Sequence, residues 1–311
     1  MSGSQPSRRR GARYKKENKK GKIITTILLL VCIGVFVFAL SNIILITLQN
    51  SSDYDLLKDL MKLAGVEDNI KDDDSVLDSI IDSSSNLDSD TSPIKEVGVD
   101  EINLNNIDYL NVNLAPLLER NKETVGWFNF SGPDSIKGLP INGPLLQHSD
   151  NDYYLNKDFD GSNNENGSIY VDYRCDMNDI TSNRNTIIYG HARSYKKFGG
   201  LKYLNEAKRW YMDANNHFIK ITTGNKETVW QVFSWYETTA SDPYRQVNFS
   251  SSEDFISYAD NLQSKNKISA LKQFKFNEND KILTLSTCKG ITDKNKRVAV
   301  HAVLVKSRNI S

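Results

Sequence analysis

The sequence predicts a mainly β domain, a closed barrel or a sandwich with helices inserted in its connections, preceded by a single membrane-crossing helix. Three observations carry that prediction. Short runs of apolar and β-branched residues recur eight times between Trp127 and Lys306, mostly separated by polar, glycine-containing loops. An uncharged stretch of 26 residues, Ile23 to Leu48, lies ahead of them. Between the two, residues 49–105 are rich in Asp, Ser and Asn and poor in apolar side chains.

Residues 1–22 carry nine basic side chains and one acidic one, Glu17. Ile23–Leu48 then extends roughly 39 Å at about 1.5 Å per residue, enough to cross a hydrocarbon core of about 30 Å with some tilt. A cleaved signal peptide has an apolar stretch of only about 7–15 residues ending in a small-residue site. Here Ser41-Asn42 runs on into Ile43, Ile44, Leu45 and Ile46, so an uncleaved anchor is expected. The basic flank places the N-terminus in the cytoplasm by the positive-inside rule, with everything from Gln49 onward outside the cell. Residues 49–100 hold fourteen acidic and four basic side chains, including Asp72-Asp73-Asp74, and 49–105 read as a mobile acidic stalk. Tyr54–Leu63 within it has helical spacing.

From residue 106 onward a catalytic-sized domain is expected. Asp108–Asn121 reads as an amphipathic helix through Leu110, Leu114, Leu117 and Leu118. Strands follow at 127–130, 144–148, 168–172, 186–189, 218–222, 228–235, 282–287 and 298–306. Helical patterns fall at Phe198–Leu204, Asn205–Met212 and Ser251–Ser264. In the last of these Ser252 is the expected cap, and Phe255, Ile256, Ala259 and Leu262 share a face.

Across the 311 residues, 39 Lys+Arg balance 39 Asp+Glu. The one basic block is terminal, which argues against a nucleic-acid binder. Three cysteines exclude a disulfide-stapled scaffold. Cys32 lies in the membrane run. Outside the cell an unpaired thiol is a liability unless used, so Cys175 and Cys288 either bond each other or supply a nucleophile. Cys288 closes the strand Ile282–Cys288, where a reactive group is held rigidly and still exposed. Cys175 sits in a polar loop with no apolar neighbours and reads as a bystander.

A thiol attacking a carbonyl needs a thiolate, a proton donor for the leaving amine and a positive group near the oxyanion. Of the four histidines, His191 follows Thr186–Gly190, a strand running into a glycine turn, and is the expected donor. His148, His217 and His301 fit structural roles. Arg297 opens the last strand nine residues after Cys288. That spacing fits two antiparallel strands joined by 289–296, with Arg297 beside the cysteine; it fits a solvated strand-start arginine equally.

These residues resemble the sortase family, its class B branch in particular, over about residues 108–307. Thr284-Leu285-Ser286-Thr287-Cys288 is similar to the family's TLxTC motif, with Arg297 downstream and Tyr189-Gly190-His191 upstream. Val125–Phe128, Asp150–Leu155, Asn185–His191, Phe198–Lys202 and the inserted helix Ser251–Ser264 also look like class B. The resemblance implies an eight-stranded barrel with an N-terminal helix, and transpeptidation as the reaction. It implies Cys288 as nucleophile, His191 as general acid/base and Arg297 as the arginine that positions substrate and stabilises the oxyanion. Ser286, Thr287, Asn151, Leu155 and Tyr244 are the expected substrate contacts. The substrate would be a surface protein with a C-terminal sorting signal, cut after Thr and held as a thioester. The acceptor would be an amine of a cell-wall precursor or, alternatively, a pilin lysine. No cofactor or metal is expected.

Two stretches depart from the class B pattern. Ser131–Gln147 is longer and richer in glycine, and Ala192–Lys197 is more basic; both bear on substrate preference. Asp242-Pro243-Tyr244 is expected to be an ordinary turn. Asp158–Gly161 hints at a calcium loop, which Ile169 rules out by standing where an EF-hand needs Glu. A thiol hydrolase on the same barrel, and a tethered binding module with an incidental cysteine, are the rival functions.

Overall fold

The computed structural model describes residues 19–66, 90–133, 135–136, 138–194, 197–288 and 295–310. The aspartate triplet 72–74, Tyr195-Lys196 and most of the 289–296 connection lie outside the described residues, as does the side chain of Cys288. Contact density divides the chain at Leu48/Gln49. The first unit holds most of helix α1 (Lys19–Leu63), the one helix among the described residues long and apolar enough to cross a membrane.

The second unit is built on eight strands: β1 (Thr124–Phe130), β2 (Ile141–Leu146), β3 (Tyr170–Val171), β4 (Asn185–Tyr189), β5 (Phe218–Thr222), β6 (Lys226–Thr239), β7 (Ile282–Cys288) and β8 (Lys296–Asn309). They close into a barrel in the order β1-β2-β3-β4-β7-β8-β6-β5. This decides between barrel and sandwich, and closure leaves no sheet edge open. Neighbours are antiparallel except β2–β3 and β4–β7. Phe128, Phe130, Leu145, Ile188, Ile221, Trp230, Leu283, Leu285 and Val300 belong to the main buried cluster. The period-2 pattern of β7 explains its two-sided packing. Leu283 and Leu285 join that main cluster, while Ile282 joins a second cluster with Phe255, Ala259 and Leu262 of the inserted helix.

Among the described residues the unit also contains the end of α1 and three short α-helices: α2 (Ala115–Arg120), α3 (Lys208–Tyr211) and α4 (Ser252–Ser264). The helix expected over 108–121 is confined to α2. Pro116 is tolerated in a first turn but not in a helix interior, so the helix starts beside it and residues 109–114 run without regular structure. In α4 the capping side chain is Ser251, not Ser252, and its Oγ accepts the Asp254 N–H at 3.2 Å.

The stalk expectation is corrected at both ends. Leu60 and Met61, on the last turn of α1, and Ala64 just beyond it are buried in one cluster with Trp127, Leu146, Phe159 and Tyr170. Burial of Leu60 and Met61 contributes roughly 1.5–3 kcal/mol each. Val97 forms an isolated parallel bridge with Asp213 outside the barrel strands, and the Arg209 guanidinium donates to backbone carbonyls at 90 and 92. Cys175 is corrected too: it is 4% exposed and packed in the main core. Burial pushes its thiol up to about 11, which makes it an inert packing residue at neutral pH.

Candidate active site

The parallel ladder between β4 and β7 sets Tyr189 opposite Ser286. The Gly190 N–H still reaches the Ser286 carbonyl, at 3.4 Å. His191 and Cys288 each follow two residues later, at the same end of strands that lie about 4.8 Å apart. The antiparallel ladder between β7 and β8 then sets Cys288 opposite Arg297. The backbone therefore brings all three residues picked from the sequence to one end of three consecutive strands. Arg297 is partly exposed there, and its Nη1 donates to the Lys296 carbonyl at 3.1 Å.

His191 is held by what surrounds it. A side chain at Gly190 would come within 2.7 Å of the Phe198 ring, so only glycine lets the chain turn under that ring. The Phe198 N–H returns to the His191 carbonyl at 3.1 Å and closes the turn. The imidazole Nε2–H donates to the Leu155 carbonyl at 2.7 Å, an assignment that follows from the carbonyl being an acceptor. Burial pulls the His191 pKa below the ordinary histidine value, the Leu155 bond opposes it, and Arg193 adds to the lowering. The neutral ring with its proton on Nε2 is the resting form at neutral pH, and Nδ1 is the remaining acceptor.

The other three histidines are structural or peripheral. His148 lies on Glu123 at 2.6 Å and stacks on Tyr153. His217 and His301 are completely buried. In the His301 network the single hydroxyl proton of Thr284 goes to Asn185 Oδ1 at 2.8 Å. His301 Nδ1–H therefore donates to Thr284 Oγ1 (3.0 Å), and Nε2 accepts from the Tyr236 hydroxyl (3.1 Å). This network ties β4, β7, β8 and β6 together four residues below Cys288.

Burial pulls His301 down to about 3 and His217 down to about 4. The unfolded chain binds protons at both positions near the ordinary value of about 6.5, so stability is complete above that pH and is lost as pH falls toward the folded values. Each histidine is expected to remove up to about 1.4 kcal/mol per pH unit in that window. A urea-unfolding midpoint that stays constant from pH 7 to pH 5 would contradict this.

The expected substrate contacts divide into two groups. Tyr244 is fully buried, and its hydroxyl meets Ser286 Oγ at 2.7 Å. The two satisfy each other in the layer under α4, which corrects the expectation that they face a groove. Thr287 is also buried, and its Oγ1 has no hydrogen-bond partner among the described residues. Leu155 contributes a backbone carbonyl to His191 rather than a side-chain contact in this arrangement. Asn151 does line a cleft, of about 400 Å³, together with Arg174, Tyr189, Asp242, Pro243, Arg245 and Gln246.

Sequence reasoning missed the residue that shapes this cleft, Asp172. Its carboxylate is fully buried and accepts from Arg174 (2.8 and 2.7 Å), Tyr189 (2.8 Å) and Asn151 (3.1 Å). Burial raises its pKa, but the Arg174 fork and the other donors outweigh that and hold it below the usual carboxylate value. An acid and an arginine two residues apart in a turn was the available signal.

Residues 145–305 match the sortase domain family. The chain belongs to the sortase family. Sortases are cysteine transpeptidases, and at that level the chemistry applies here. Over 192 residues the chain is 32% identical to sortase B of Staphylococcus aureus, covering 60% of this chain and 72% of that one. Among solved structures it is similar to Clostridium perfringens sortase B, with a TM-score of 0.53 and 27% identity over 62% of this chain and 100% of the other. A Staphylococcus aureus sortase B–substrate complex superposes with a TM-score of 0.53 and 31% identity, covering 61% of this sortase and 83% of its counterpart. The eight-stranded sortase barrel expected from the resemblance is the barrel observed.

Proposed function

We propose that this sortase is a class B transpeptidase, held in the membrane by Ile23–Leu48 with its N-terminus cytoplasmic and its barrel outside the cell. It cuts a C-terminal sorting signal after Thr and transfers the protein to an amine of a cell-wall precursor. The observation that carries the reading is the placement of His191, Cys288 and Arg297 at one end of β4, β7 and β8.

In this reading the Cys288 sulfur bonds to the carbonyl carbon of the scissile peptide, and the negative charge that builds on its oxygen is met by the Arg297 guanidinium. One proton, shared between the Cys288 thiol and the His191 imidazole, goes to the leaving amine as the C–N bond breaks and the thioester forms. The acceptor amine then attacks the thioester, sulfur leaves, and the amine's proton returns to the Cys288–His191 pair. The cleft bearing Asn151, Arg174 and Arg245 takes the residues before the scissile bond.

With ordinary values of about 6.5 for histidine and 8.5 for cysteine, one molecule in about 100 holds the proton on the imidazole and the charge on sulfur. The lowered His191 makes that form rarer still. A slow enzyme whose rate is flat between its two macroscopic pKa values follows from this.

The test is mass spectrometry of the full chain in detergent, incubated with a set of sorting-signal peptides and a simple amine. A thioester on Cys288 and an amine-ligated product are expected. Cleavage into water at every amine concentration would replace transpeptidation with hydrolysis, and no adduct with any peptide would return the chain to a binding role.

A further inference from the structure

The part of α1 that follows the apolar run docks on the loop that holds His191. Asp53 is 8% exposed and aims its carboxylate at the 156–168 loop. Its two oxygens accept from the side-chain amides of Asn164 and of Asn166, the latter at 2.7 Å. Gln49 and Asn50 add further bonds to the same two asparagines, each at 3.0 Å. Arg120 clamps the seam from the other side, bonding Asp59 of the helix at 2.5 Å and Asp160 of the loop at 2.7–2.8 Å. The void left under the helix is about 30 Å³, room for a single water.

The loop passes this constraint to Leu155. The Asn164 N–H bonds the Asn156 carbonyl, and the Ser168 N–H bonds the Tyr154 carbonyl, both at 3.0 Å. These bonds bracket Leu155 from either side. Gly167, at φ +58°, presses against its carbonyl so closely that a Cβ there would lie 2.5 Å from the oxygen. That carbonyl oxygen is the acceptor for His191 Nε2–H. The path from Asp53 to the imidazole thus runs through two side-chain amides, one tightly bonded loop and one carbonyl.

We infer that Asp53 is a positioning residue for His191: by fixing Asn164 and Asn166 it sets the Leu155 carbonyl that orients the imidazole. The inference rests on His191 acting as the proposed general acid/base. It assigns work to the juxtamembrane turns of α1 beyond joining a tether to a barrel. The charged group acting on the ring is Arg193, which pairs with exposed Glu165 of the same loop.

The experiment uses the full chain in detergent as wild type, Asp53→Ala, Asp53→Asn and His191→Ala, with circular dichroism to establish folding. Peptide-cleavage kinetics are measured beside the 15N imidazole signals of His191 across pH. In Asp53→Ala, kcat/KM is expected to fall between about tenfold and 10²-fold, the loss typical of a slightly misplaced catalytic group. Its His191 signals are expected to shift from a fixed Nε2–H tautomer toward a mixture. Asp53→Asn keeps one acceptor oxygen and should fall between the two. Imidazole signals superposable on wild type in either folded Asp53 variant would overturn the inference, and a rate loss without a signal change would make Asp53 a purely structural residue. Full turnover in His191→Ala would instead remove the functional reading beneath it, leaving the imidazole coupling to be judged by its own signals.

Discussion

Cys288→Ala is expected to abolish peptide cleavage and ligation, a loss of at least about 10³-fold in kcat/KM, because neither of the other two cysteines of the sequence can take over as nucleophile. Cys175 cannot substitute. It is buried in the core, and its thiol, pushed up to about 11, stays protonated at neutral pH. Cys32 belongs to the other unit and to the apolar run. Cys288 ends β7 opposite Arg297, so removing one sulfur atom there leaves the ladder intact. Circular dichroism and thermal unfolding of the variant separate loss of the nucleophile from loss of the fold. Turnover comparable to wild type in a folded Cys288→Ala would end the transpeptidase reading.

Arg297→Lys should be nearly as informative. Both side chains are cationic, so a role limited to general electrostatic attraction would survive the exchange. A planar guanidinium that holds the substrate and the developing oxyanion with two N–H groups would not. Losing one such donor typically costs 10²–10³ in rate, about 2.7–4 kcal/mol. We expect Arg297→Lys to lose about 10²-fold in kcat, with KM changed much less because the charge is kept. The measurement is steady-state kinetics on the peptide identified by mass spectrometry. Wild-type kcat in Arg297→Lys would remove the forked contact and leave only a point charge at that position.

Much of this was legible from the sequence because the signals were periodic. Phe218–Thr222 alternates with turn residues on both sides, and its strand occupies those same residues. Phe255, Ala259 and Leu262 repeat every three to four residues and form the buried stripe of α4. Cys288 and Arg297 were readable as partners since a hairpin spacing of nine residues admits an antiparallel register. What escaped was carried by groups that leave no side-chain signature or by residues whose neighbours disguise them. The Leu155 carbonyl could be any residue's carbonyl. Cys175 lies among Asp, Arg and Asn in the chain but belongs to the same buried cluster as Val171 and Ile180. Residues 49–66 were hidden by their acidic composition. The segment sends Leu60, Met61 and Ala64 to the barrel and leaves most of its charges outside, and composition averages those two faces into one polar number. Tyr244 reads as a substrate contact from its place before the inserted helix, whereas it is buried in one cluster with Phe255, Ala259 and Leu262 of α4.

The strand order has a consequence for when this enzyme becomes active. β4, which leads to His191, lies between β3 and β7 in the barrel, and β7 begins almost 100 residues later in the chain. Until β7 and β8 have emerged, β4 has one free edge and no nucleophile beside it. Contacts separated by that much sequence form late, after the cost of closing a long loop has been met. In the export proposed above, most of the polypeptide would cross the membrane before the nucleophile and its neighbours are in place. The thiol arrives at the end of the strand that pairs with β4, and β8, which brings Arg297 opposite it, follows directly. A chain arrested before Ile282 should accordingly lack protected β4 amides in hydrogen exchange, and one extended through Asn309 should gain them together with reactivity toward sorting-signal peptides.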